Sequence, residues 1–239
     1  MKIASAVLFI STILSFHAFA GIQIQGTRII VHPDTPKTLK ISNLDPQAAM
    51  VQLWIDEKNE SLTIKENLPF VIQPPIAKIS GNKTKSFRII PLPESKQRYA
   101  TDRESLIWFN ALEIPGENKA QSDDAATKLK LAFRMRLKLF YRPAGLKGTP
   151  LEAGQNLKWE LKKNSSGYTL TAKNASPFHV SFTKIWLGKE ETKSALTGGM
   201  VKPFSEESFK ITAPPTDLNN LNYKFITDIG AIVHQQYQL

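Results

Sequence analysis

Residues 128–143 read KLKLAFRMRLKLFYRP, with Leu129, Leu131, Phe133, Met135, Leu137 and Leu139 at every second position. Lys128, Lys130, Arg134, Arg136 and Lys138 fill most of the positions between them. A period of two sorts the two sets onto opposite faces of a strand, whereas a helix would scatter both around its axis. About twelve residues at roughly 3.3 Å each reach some 40 Å, about twice the usual strand. A strand with one apolar and one cationic face is either a core strand with a wet side or a strand kept to pair with another polypeptide.

Shorter runs of the same kind predict strands over 21–31, 37–43 (KTLKISN), 50–55 (MVQLWI), 70–72, 85–90 and 106–114. Trp54, inside one of them, is expected in the core. Turn residues separate the runs at His32-Pro33-Asp34, Asp45-Pro46 and Ser80-Gly81-Asn82-Lys83. Gln73-Pro74-Pro75-Ile76 interrupts ladder pairing and is a candidate for a cis bond. The pattern breaks at Tyr141-Arg142-Pro143-Ala144-Gly145, and a second set of strands follows over 157–161, 168–172, 180–187, 208–211, 223–227 and 231–235. No long helix is predicted. The fold class is all-β, with two sandwich domains over 21–142 and 143–239.

Residues 1–20 differ from the rest. Lys2 precedes a mostly apolar run ending in Ala18-Phe19-Ala20, which predicts an exported chain cleaved after Ala20. The remaining length suits two domains of ordinary size. With no cysteine in 239 residues, stability rests on packing, and thiol chemistry is excluded. A net charge of +10 favours an anionic partner. Export argues against nucleic acid, as does a basic pattern that alternates with aliphatic positions instead of aromatic stacking platforms. No membrane insertion is expected after the leader.

Catalytic signals are missing: there is no GxSxG, no phosphate-cradling glycine loop and no HExxH. His32, His179 and His234 lack ligand spacing, and the acidic pairs Asp123-Asp124, Glu190-Glu191 and Glu206-Glu207 sit in hydrophilic contexts. An enzyme is not expected, and no cofactor or metal is implied.

Asp102-Arg103-Glu104-Ser105-Leu106, then Trp108-Phe109-Asn110 and Glu113-Ile114-Pro115, resemble the signature region of the PapD-like periplasmic pilus chaperones. Lys138-Leu139-Phe140-Tyr141-Arg142-Pro143 is similar to the end of that family's donor strand. Gly26-Thr27-Arg28, Pro74-Pro75 and Thr227-Asp228-Ile229-Gly230 extend the likeness along the chain, more loosely in the second half. The resemblance implies two immunoglobulin-like domains at an angle with a cleft between them. It implies that Arg28 and Lys138 anchor the C-terminal carboxylate of a pilus subunit. Leu129, Leu131 and Phe133, with Met135 next in the row, would fill the groove of an incomplete subunit by strand addition. Glu104, Arg142 and Asp228 would form an interdomain ionic network. Pilus subunits and an outer-membrane usher are the implied partners, and the periplasm the implied location. The exposed donor edge with its five cationic residues predicts that the free protein caps itself as an edge-to-edge dimer. The short loop over 117–127 suits the short-loop subclass. The absence of a second-domain disulfide departs from many relatives. A rival reading is an exported, adhesin-like binding module for acidic ligands.

Overall fold

The computed structural model describes residues 21–57, 68–115, 131–165, 167–188, 196–211 and 217–239. The leader, Leu129 and nearly all of the loop after Pro115 lie outside the described residues.

The first half forms two facing sheets. One has the order β1 (Ile22–Ile24), β3 (Lys37–Asn43), β7 (Thr84–Pro91) and β5 (Phe70–Gln73). The other runs β2 (Arg28–Val31), β9 (Phe133–Tyr141), β8 (Ser105–Pro115), β4 (Ala49–Asp56) and β6 (Ile76–Ile79). The strand expected over 21–31 is in fact two strands in different sheets. β1 pairs antiparallel with β3, and β2 pairs parallel with β9. The switch falls at Gly26, whose φ of 96° lies in the left-handed region where a side chain is unfavourable. The Gln73–Pro74 bond is cis, and it separates β5 from β6. The core between these sheets includes Ile29, Val31, Phe87, Ile107, Phe109 and Leu139, all essentially inaccessible to solvent.

Trp54 corrects an expectation. It is buried, yet it lies outside the core cluster. Even-numbered positions of β4, β8 and β9 point to the outer face of the sheet, and there the Arg134 guanidinium covers the Trp54 ring at 5.1 Å. Period two separates two faces without saying which one is inward.

In the second half β10 (Lys158–Asn164), β11 (Gly167–Asn174) and β15 (Ser205–Ile211) form one sheet. The other has β13 (Leu196–Thr197), β12 (Val180–Leu187), β16 (Asn220–Ile226) and β17 (Ile232–Gln238), with β14 (Met200–Val201) also on β12. Trp159 packs between these sheets, 5.1 Å from Tyr223 and 5.5 Å from Phe182. The described residues include two short helices, α1 (Ser95–Arg98) and α2 (Pro150–Gln155). Thr149 and Glu152 close a capping box on α2, with Pro150 in its first turn. No helix among the described residues is long and apolar enough to cross a membrane.

Candidate functional site

β9 lies between β8 and β2, but its two neighbours cover it unequally. β8 runs beside it from Glu113 opposite Phe133 to Ser105 opposite Tyr141. β2 begins only at Arg28, opposite Lys138, and ends at Val31, opposite Tyr141. Among the described residues, positions 133–137 therefore have a strand on one side and an open edge on the other. An open edge is a template for further pairing.

The apolar row on β9 changes character along this edge. Leu139 is fully buried, while Met135 and Leu137 are half-buried against the domain's own core. Phe133 and Leu131 are 61% and 55% exposed, so their side chains are unspent at the open end. Burying one such side chain contributes about 1.5–3 kcal/mol.

At the point where the edge closes stand two cations. Arg28 and Lys138 are opposite one another in the parallel register of β2 and β9. Arg28 Nη1 donates to the Ile226 carbonyl at 2.9 Å, and Lys138 Nζ donates to Ser181 Oγ at 3.0 Å; both acceptors belong to the second domain. Burial, and then the charge of Arg28, lower the Lys138 pKa to about 8. Burial also lowers that of Arg28, partly offset by Asp228 and Glu104. Two half-buried like charges thus stand side by side, each bonded to a neutral acceptor.

Glu104, Arg142 and Asp228 meet at the junction of the domains. Arg142 Nε donates to Glu104 Oε1 at 2.7 Å, and its two terminal nitrogens donate to Asp228 at 2.7 and 2.9 Å. Burial opposes the Arg142 charge, but the bonds and charges of Asp228 and Glu104 outweigh it and raise its pKa. Sequence reasoning missed a fourth member: the backbone N–H of His179 donates to Glu104 Oε2 at 2.8 Å, and its ring Nδ1 lies 3.2 Å from the same oxygen. A histidine just before a strand carries no local signal of a partner 75 residues away.

The cationic face of β9 is less solvated than the alternation suggests. Arg136 Nη2 donates to Asp56 Oδ1 at 2.6 Å, and Arg134 donates to Asn110 Oδ1 at 2.7 Å and to Asp56 Oδ2 at 3.3 Å. Asp56 and Asn110 are buried under these guanidiniums, and Arg136 lies 4.3 Å above the Trp108 ring. His234 stacks on Trp186 and bonds Asn222. Among the described residues no group of three or more His, Cys, Asp or Glu could hold a metal.

The molecule is a pair of β-sandwiches with an open strand edge ending at two cations, and comparison with known proteins identifies the class. Residues 21–147 match the N-terminal domain, and residues 152–237 the C-terminal domain, of the PapD pili and flagellar-assembly chaperones. The chain belongs to that family: it is a pilus-assembly chaperone and not an enzyme. It is 34% identical to the chaperone protein FimB/FhaD of Bordetella pertussis over 92% of this chain and 88% of the relative. The crystal structure of the YadV chaperone matches with a TM-score of 0.75 and 30% identity, over 92% of this chain and all of that one. The SafB chaperone, solved in complex with the SafA pilin of Salmonella enterica, matches with a TM-score of 0.75 and 26% identity, over 94% and 99% of the two chains.

The depressed Lys138 pKa is directly measurable. In the free protein the Lys138 ammonium is expected to titrate near 8 by NMR of its side chain, against an ordinary value of 10.5. Arg28→Ala should raise that midpoint by removing the neighbouring charge. Between the two values the unfolded chain binds more protons, so this lysine makes stability rise with pH from about 8 upward. A midpoint near 10.5 in the wild type would contradict the geometry.

Proposed function

We propose that this chain folds and caps pilus subunits in the periplasm by completing their sandwich with β9, then delivers them to an outer-membrane usher. The observation that carries this reading is the coincidence of an open β9 edge with the Arg28–Lys138 rung. β2 starts at that rung and runs parallel to β9. A guest strand on the open edge, running in the same direction, would end where β2 begins, with its C-terminal carboxylate between Arg28 and Lys138. Backbone pairing supplies affinity without sequence specificity, whereas the anchor fixes register, since a one-residue slip would turn the wrong side chains toward Phe133 and Leu131.

In this reading Leu129, Leu131 and Phe133 fill the subunit's groove, and Met135 contributes least because it is committed to its own core. Release follows when a better-fitting strand replaces β9, without ATP or metal. The leader-like start of the sequence supports a periplasmic location. In this reading the domains divide after Arg142, which the end of the first core at Tyr141 supports. The Glu104–Arg142–Asp228 network holds the two domains in one orientation, the use for which buried ion pairs are best suited, since their net contribution to stability is small. An adhesin-like module for acidic ligands is not favoured, because the cations lie at a strand end inside the junction instead of on convergent loops.

Co-expression with a cognate subunit tests the function. The wild type should protect the subunit from proteolysis, and Arg28→Ala or Lys138→Ala should weaken binding by about 1.5–3 kcal/mol, roughly ten- to a hundredfold. Phe133→Ala should cost about as much. Full protection by the double cation variant would sink the anchor. Small-angle scattering of the free protein reads two more features. Its apparent mass should rise with concentration as open edges cap one another, and Arg142→Ala should broaden the distribution of interdomain orientations. A constant mass, or an Arg142→Ala curve superimposable on the wild type, would refute the respective claim.

A further inference from the structure

The anchor is built from two rungs, one in each domain. β12 and β16 pair antiparallel with Phe182 opposite Phe225, so one step further places Ser181 opposite Ile226. The rung Arg28–Lys138 thus faces the rung Ile226–Ser181, with Arg28 bonded to the Ile226 carbonyl and Lys138 to the Ser181 hydroxyl. The hinge network grips the same two strands from outside. His179, two residues before Ser181, is held by Glu104, and Asp228, two residues after Ile226, is held by Arg142. Gly230 presses the following turn against Thr27, next to Arg28: a Cβ on Gly230 would stand 3.1 Å from the Thr27 hydroxyl.

We propose that Ser181 is a positioning residue of the carboxylate anchor, so that the second domain completes a site whose charges come from the first. This rests on the anchor reading above and deepens it. An ammonium has three donors on a flexible stem. One is occupied by Ser181, which is 1% exposed and cannot swing away. The remaining two are then directed to the side where Arg28 and the end of a guest strand meet. Among the described residues the charged groups around Lys138 are engaged elsewhere. Arg28 stands opposite on β2, Arg136 on β9 is held by Asp56, and Asp228 and Glu104 are engaged by Arg142. Trp108 opposite it on β8 offers no acceptor side chain. The serine hydroxyl therefore fixes where the ammonium points and favours its charged form.

The test uses the full-length protein and two synthetic peptides of alternating valine and threonine, one ending in a free carboxylate and one in an amide. Binding is measured by calorimetry between about pH 6 and 10. The wild type should prefer the acid at least tenfold, and the preference should fall as pH rises through about 8. Ser181→Ala should reduce the preference about tenfold and move its midpoint to lower pH, leaving the amide's affinity unchanged. Ser181→Thr, which keeps the hydroxyl, should restore both preference and midpoint. If Ser181→Ala keeps the wild-type preference and midpoint while Arg28→Ala loses the preference, the role of Ser181 is refuted and the anchor survives. If the wild type itself binds acid and amide alike, the anchor fails and this inference with it.

Discussion

A strand covered along only part of its length is the constraint on which the molecule turns. β9 needs partners on both edges, and β2 supplies one only from Lys138 onward. That arrangement depends on the chain changing sheets at Gly26. Without the left-handed turn, residues 22–31 would continue in the sheet of β3 and leave β9 bare to its end. One backbone conformation thus decides where an edge is open.

The electrostatics follow from the same geometry. Bringing β2 beside β9 puts Arg28 next to Lys138, an arrangement that desolvation and like-charge repulsion both disfavour. A fold serving only its own stability would have no use for it. The adjoining domain offsets part of the cost with neutral acceptors, a carbonyl and a hydroxyl, so the positive charge is held in place without being neutralised. The contrast with Arg134 and Arg136 is instructive, since those two guanidiniums share the carboxylate of Asp56 and seal two tryptophans. Cations of the same strand are therefore held in two ways, Arg134 and Arg136 by a carboxylate and Lys138 by a neutral hydroxyl.

Much of the architecture was legible because period two is a strong local signal. The row from Leu131 to Leu139, the break at Pro74-Pro75 and the division into two sandwiches needed no long-range information. Even the short helix after Thr149 has a readable start in Thr149-Pro150-Leu151-Glu152, although the alternation around it draws attention elsewhere. What stayed hidden depends on contacts distant in sequence. Trp54 could not be assigned to the outer face without knowing that Arg134 lies over it, and Arg136 could not be matched to Asp56, 80 residues away. Arg28 and Lys138 acquired meaning through family resemblance, since an arginine or lysine in a strand is ordinarily a solvated side chain. Ser181 and His179 had no signal at all, because their significance lies in which strand of the other domain they touch.

Amide hydrogen exchange on β9, with and without a bound pilus subunit, reaches the centre of the account. The amides of residues 133–137 that face away from β8 should exchange rapidly in the free protein and slow markedly in the complex. Those of Leu139, Phe140 and Tyr141 should be protected in both. If residues 133–137 were already protected in dilute free protein, or exchanged equally fast with a subunit bound, the edge would not be where the guest strand pairs.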